Sequence, residues 1–135
     1  MTSSFRTILC ADDDPDDRDL ICNTITQVDR SVKVEHVSDG LEAMDYLSRA
    51  KEKDTLPCLV ILDINMPRMD GKQTLVSIKK DVQLSHVPVV VLSTSASPLD
   101  HLFCKRYGVE LVTKPSTMSN MEQEVKRLLQ HCAVA

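Results

Sequence analysis

Apolar positions along the chain follow two rhythms that take turns. Short continuous runs, Ile8–Ala11, Leu59–Leu62 and Val87–Leu92, read as buried strands. Val32–Val37 alternates and holds three valines, a strand pattern. Val109–Val112 gives a fifth strand. Between these runs the period lengthens to that of a helix. Leu20, Ile21, Ile25 and Val28 share one face after Pro15, which suits a first helical turn. Leu41, Met44 and Leu47 follow an Asp39-Gly40 turn signal. Leu75, Ile78 and Val82 mark a third helix. Leu99, Leu102, Phe103 and Arg106 mark a fourth, stopped by Gly108. Met118, Met121, Val125, Leu128, Leu129 and Cys132 give the last. Lys51–Pro57 is polar and reads as a surface loop.

Five strands alternating with five helices predict an α/β fold: a doubly wound, five-stranded parallel sheet covered on both faces. Right-handed crossovers enforce that winding. The active crevice of such a fold lies at the carboxyl ends of the strands, where strand order reverses.

What ends each strand then carries the argument. The first strand runs into Asp12-Asp13-Asp14 and the third into Asp63. The fourth ends at Ser93-Thr94-Ser95 and the fifth at Thr113-Lys114-Pro115. A single Asp at a strand end is ordinarily a cap or turn residue. Acids, a hydroxyl and a lysine ending four strands of one sheet are a different matter. Such carboxylates repel one another unless a cation offsets them. An all-oxygen donor set suits a hard ion, magnesium (Mg2+). Asp12, Asp14 and Asp16 match the first spacings of a calcium-binding loop, but Asp17 stands where that loop requires glycine. Asp16, Asp17 and Asp19 read instead as the acidic first turn of a helix, with Asp14 as its candidate cap.

Composition narrows the class. A chain of 135 residues is one ordinary domain. Its net charge of -4 argues against nucleic acid as the main partner. No apolar run approaches the roughly 18 residues of a membrane span, and the first residues carry no secretory pattern. Cys10, Cys22, Cys58, Cys104 and Cys132 contain no CxxC pair. All five are expected as reduced thiols in a cytoplasmic protein.

The segments ILCADDDPDDR, LVILDINMPRMDG, VPVVVLSTS and VTKP, in that order, resemble the receiver domain of two-component response regulators from about Thr7 to Leu129. The closest type is the stand-alone, chemotaxis-regulator-like receiver. The resemblance implies a flavodoxin-like receiver fold and a phosphorylatable switch. Asp63 would be the phosphoacceptor. Asp13 would bind Mg2+ directly, Asp12 would help through water, and the Asn65 carbonyl would complete the protein's share of the shell. Ser93 would supply the switch hydroxyl, with Thr94 as the alternative. Lys114 would contact the phosphoryl oxygens. The donor would be a histidine kinase or a phosphotransfer protein. The readout would be a downstream protein target met by the fourth helix, fifth strand and fifth helix, and homodimerisation stays open. The family's frequent aromatic switch position is Leu111 here, so an aromatic rotamer switch is unavailable there. Thr94 is bulkier than the family's usual small residue and would narrow access to Asp63.

The expectation is a single receiver over residues 1–135 without an output domain, acting as an acceptor rather than an enzyme. Two alternatives stay open. One is an interaction module that is never phosphorylated, which the set of Asp12, Asp13, Asp63, Ser93 and Lys114 opposes. The other is a Mg2+-dependent phosphohydrolase with an aspartyl-phosphate intermediate. That enzyme would want a second Asp two residues after the nucleophile, where Asn65 stands.

Overall fold

The computed structural model describes residues 6–94, 97–115 and 117–132, so Ser95 lies outside the described residues. The strands are β1 (Arg6–Ala11), β2 (Val32–Val37), β3 (Leu59–Asp63), β4 (Val89–Ser93) and β5 (Glu110–Thr113). The helices are α1 (Pro15–Val28), α2 (Gly40–Glu52), α3 (Gly71–Lys80), α4 (Pro98–Arg106) and α5 (Met118–Leu128). Every ladder is parallel, and the strand order is β2-β1-β3-β4-β5. The doubly wound sheet is therefore present as expected.

Side-chain alternation divides the core into two halves. Leu9, Ala11, Val60, Leu62, Val89 and Val91 pack against α2, α3 and α4 through Ala43, Leu47, Leu75, Ile78 and Cys104. Ile8, Cys10, Leu59, Ile61, Val90 and Leu92 pack against α1 and α5 through Ile21, Ile25, Met121, Val125 and Leu128. β3 and β4 are buried along their whole length, which is why they read as unbroken apolar runs. Strand order reverses between β1 and β3, and their carboxyl ends meet there.

Several boundaries differ from the sequence pattern. Asp39-Gly40 is no free turn. Asp39 caps α2 by accepting from the Glu42 N–H, and Gly40 is already helical. Lys51 and Glu52 belong to α2. Val82 lies beyond α3 and is 81% exposed, because Asp81 caps the helix end first. Val87 and Pro88 precede β4, following a 3-10 turn over Leu84–His86. Gly108 does stop α4, with φ at +70°.

One expectation is overturned. Cys58 and Cys132 form a disulfide, with Cα atoms 5.0 Å apart. Cys58 immediately precedes β3, and Cys132 ends the short 3-10 turn after α5. The parallel fold brings these two ends to the same edge of the sheet. Spacing in sequence, 74 residues, carries no trace of that meeting. Cys10, Cys22 and Cys104 remain thiols.

Candidate functional site

The site forms where β1, β3, β4 and β5 end. Asp12 follows β1, and its N–H donates to the Val37 carbonyl at 3.1 Å. Its carboxylate accepts from the Asp14 N–H at 3.0 Å, which fixes the turn into α1. Asp14 in turn caps α1 by accepting from the Asp16 and Asp17 N–H groups. Asp63 is the last residue of β3, opposite Leu92 of β4. The Asn65 N–H lies 3.4 Å from its Oδ1. Gly71, the first residue of α3, packs against the Asp63 carbonyl so closely that a Cβ there would collide with it. Helix α3 is thereby seated directly on the carboxyl end of β3.

Asp12, Asp13 and Asp63 converge. One carboxylate oxygen from each lies within 4.8 Å of the others. Asp12 and Asp63 are buried, and Asp13 is exposed. Lys114 closes the cluster from β5. Its Nζ lies 2.7 Å from Asp12 Oδ2 and 3.5 Å from Asp63 Oδ2, with its side chain only 8% exposed. The Lys114 N–H donates to the Ser93 carbonyl at 2.7 Å, which locks the two strand ends together. Ser93 is buried, one residue past the ladder partner of Asp63.

Electrostatics follow from this crowding. Burial pushes the Asp63 carboxyl up to about 6; Lys114 pulls it down, and Asp12 adds to the rise. For Lys114, burial works against the ammonium. Hydrogen bonds to Asp12 and Asp17 and attraction to Asp63 outweigh burial, and its pKa ends above the ordinary lysine value. Three carboxylates around one ammonium leave net negative charge. An all-oxygen set of this kind fits a hard divalent cation.

Asp17 joins the cluster with no signal in the sequence. Its carboxylate takes a second hydrogen bond from Lys114 Nζ at 3.0 Å. It also occupies the acidic first turn of α1, which accounts for it in the sequence. Asn65 and Thr94 are exposed beside the cluster. Leu111 is not at the cluster at all. It is half-buried and packs with Phe103 and Tyr107 against the α2–α4 half of the core.

Residues 8–126 match the sequence profile of the response regulator receiver domain. The chain belongs to that family. It is 30% identical over 128 residues to the probable methanogenesis regulatory protein FilR2 of Methanothrix harundinacea, covering 92% of this chain and 81% of FilR2. It is 34% identical over 94 residues to the response regulator Rcp1 of Synechocystis, covering 67% of this chain and 63% of Rcp1. The phosphorylated cyanobacterial phytochrome response regulator RcpA superposes with a TM-score of 0.83 at 33% identity, covering 93% of this chain and 92% of RcpA. The Mn2+-bound form of Rcp1 superposes with a TM-score of 0.78 at 28% identity, covering 93% of this chain and 92% of Rcp1. The five-stranded parallel sheet with five helices is the flavodoxin-like receiver fold of these neighbours. Receiver domains of this family act in two-component signalling with histidine kinases or phosphotransfer proteins, and take Mg2+ or Mn2+ in an acidic pocket. The described residues of this receiver include such an acidic cluster.

Proposed function

We propose that this receiver is a phosphorylatable switch in which Asp63 accepts a phosphoryl group from the phosphohistidine of a kinase or phosphotransfer protein. The observation that carries this reading is the position of Asp63. It is a carboxylate 9% exposed at the topological switch point, with Lys114 Nζ at 3.5 Å and two further carboxylates converging on it. In the transfer, an Asp63 oxygen forms a bond to phosphorus as the bond from histidine nitrogen to phosphorus breaks. The nitrogen leaves with the electron pair. Positioning and charge neutralisation supply most of the catalysis in phosphoryl transfer.

The residues suit that task. Asp12, Asp13, Asp63 and the Asn65 carbonyl would hold Mg2+, which supplies positive charge for the phosphoryl oxygens. Lys114 brings a second positive charge already held in place by Asp12 and Asp17. The Ser93 hydroxyl, rather than that of exposed Thr94, is the switch donor, since Ser93 sits buried on the strand beside Asp63. Its movement would reposition the segment leading into α4. The readout face is then α4, β5 and α5, where Leu99 and Leu102 stand 72% and 62% exposed. Repacking of Leu111 against the α2–α4 half of the core would take the place of an aromatic flip. The chain acts as an acceptor, not as an enzyme on free substrates, and works in the cytoplasm, where its phosphodonors act.

Borohydride trapping locates the acceptor. It converts an aspartyl phosphate to homoserine, which peptide mass spectrometry finds at position 63. Homoserine at Asp12 or Asp13 instead would overturn the assignment.

A further inference from the structure

The disulfide lies at the edge of the sheet opposite the acidic cluster, among the amino ends of the strands. Cys58 is partly buried there, and Cys132 is buried among α1 and α5 side chains. Cys58 lines an open cavity of about 720 Å³, together with Arg6, Thr7, Lys33, Thr55 and Leu56. Arg6 holds the same corner. Its guanidinium donates to the Cys132 carbonyl at 2.6 Å and pairs with Asp29 at 2.5 Å. The bridge therefore joins the start of β3 to the end of the turn that continues α5.

We propose that Cys58 and Cys132 are a redox-modification site, opened by an external dithiol and closed by a disulfide oxidant, whose state sets how firmly the end of α5 is held. Access gives the reaction a direction. One thiolate of the dithiol attacks the Cys58 sulfur from the cavity. The bond between the two sulfurs breaks, and Cys132 leaves as a thiolate that takes up a proton. The second thiol of the reductant then displaces Cys58 from the mixed disulfide. The dithiol becomes a disulfide, and two cysteine thiols are left. Oxidation reverses these steps, with the electrons passing to the incoming disulfide.

Both states are accommodated. A reduced Cys58 has an acceptor waiting, since its Sγ lies 3.4 Å from the Thr7 carbonyl. A reduced Cys132 stays in an apolar cluster, where thiols sit readily. Arg6 still holds the Cys132 carbonyl. Reduction thus loosens the turn without dismantling the domain. The other three cysteines are poor competitors. Burial pushes the thiols of Cys10, Cys22 and Cys104 above the ordinary cysteine range, away from the reactive thiolate. None of this depends on phosphorylation of Asp63.

The test uses the full chain with alkylation and hydrogen exchange. Oxidised protein, denatured without reductant, should take three alkyl groups, and reduced protein five. Native protein should open in millimolar dithiothreitol without denaturant. Amide exchange over residues 125–132 should then rise at least several-fold, with the melting temperature lower by about 10 °C. Cys132→Ser should show the fast exchange with or without reductant. It should also take up glutathione at Cys58 from oxidised glutathione, whereas Cys58→Ser should resist glutathione at buried Cys132. Five alkyl groups on the oxidised protein would refute the site. So would a bridge that opens only in denaturant, or exchange that is the same in both states.

Discussion

At the scale of the residue, Lys114 is the pivot. It touches three carboxylates, from the turn after β1, from α1 and from β3, and it is what makes their convergence tolerable. Removing it should therefore move its neighbours. Lys114→Ala should raise the Asp63 pKa above its value of about 6, because the cation that lowers it is gone. Carbon-detected titration of the carboxyl reads this directly. In the parent chain Asp63 takes up a proton as pH falls through about 6. That proton must leave before a cation binds, so Mg2+ affinity should fall about tenfold between pH 8 and pH 5. Calorimetry at the two pH values checks it. The convergence of Asp63, Asp12, Asp13 and Lys114 was legible in the sequence because each stands at or just past the carboxyl end of a strand. Asp17 was not, because its place in the helix already explained it. Only the packing of α1 beside β5 brings it to Lys114.

At the scale of the element, two close approaches seat the helices around the site. Gly71 lets α3 rest on the Asp63 carbonyl, and Gly40 lets α2 meet Met69 and Thr74. Gly71→Ala must displace backbone, not a flexible side-chain end, so it should cost about 2 kcal/mol or more in urea unfolding. The α2 start is tied down from the far side by Arg68, whose guanidinium pairs with buried Asp39 at 2.5 Å. The Glu42 N–H holds the Asp39 carboxyl below the usual carboxylate range, burial opposes, and Arg68 adds to the lowering. A lowered carboxyl stabilises the fold above its unfolded pKa, and that contribution is lost as pH falls through the folded value. The Asp39 share of stability should thus be complete at neutral pH, begin to fall below the unfolded value of about 4, and be lost as pH drops through the lower folded value. Asp39→Ala should cost about 1–2 kcal/mol at pH 7, and the cost should shrink as acid protonates the folded carboxyl. Period and composition located each helix. They could not show that Asp39 caps rather than turns, since both roles favour Asp before Gly.

At the scale of the whole molecule, the sheet has two working edges. The carboxyl edge carries the acids and Lys114, and the amino edge carries the disulfide. The first was readable because alternating strands and helices force parallel order, and parallel order gathers strand ends. The second was not, because Cys58 and Cys132 meet only through the path of α5 across the sheet. The central claim concerns the first edge. Intact-mass measurement after incubation with acetyl phosphate tests it most directly. The parent chain should gain one base-labile phosphoryl group with Mg2+ and almost none without it, and Asp63→Asn should gain none. Equal labelling of Asp63→Asn, or labelling indifferent to Mg2+, would contradict the account.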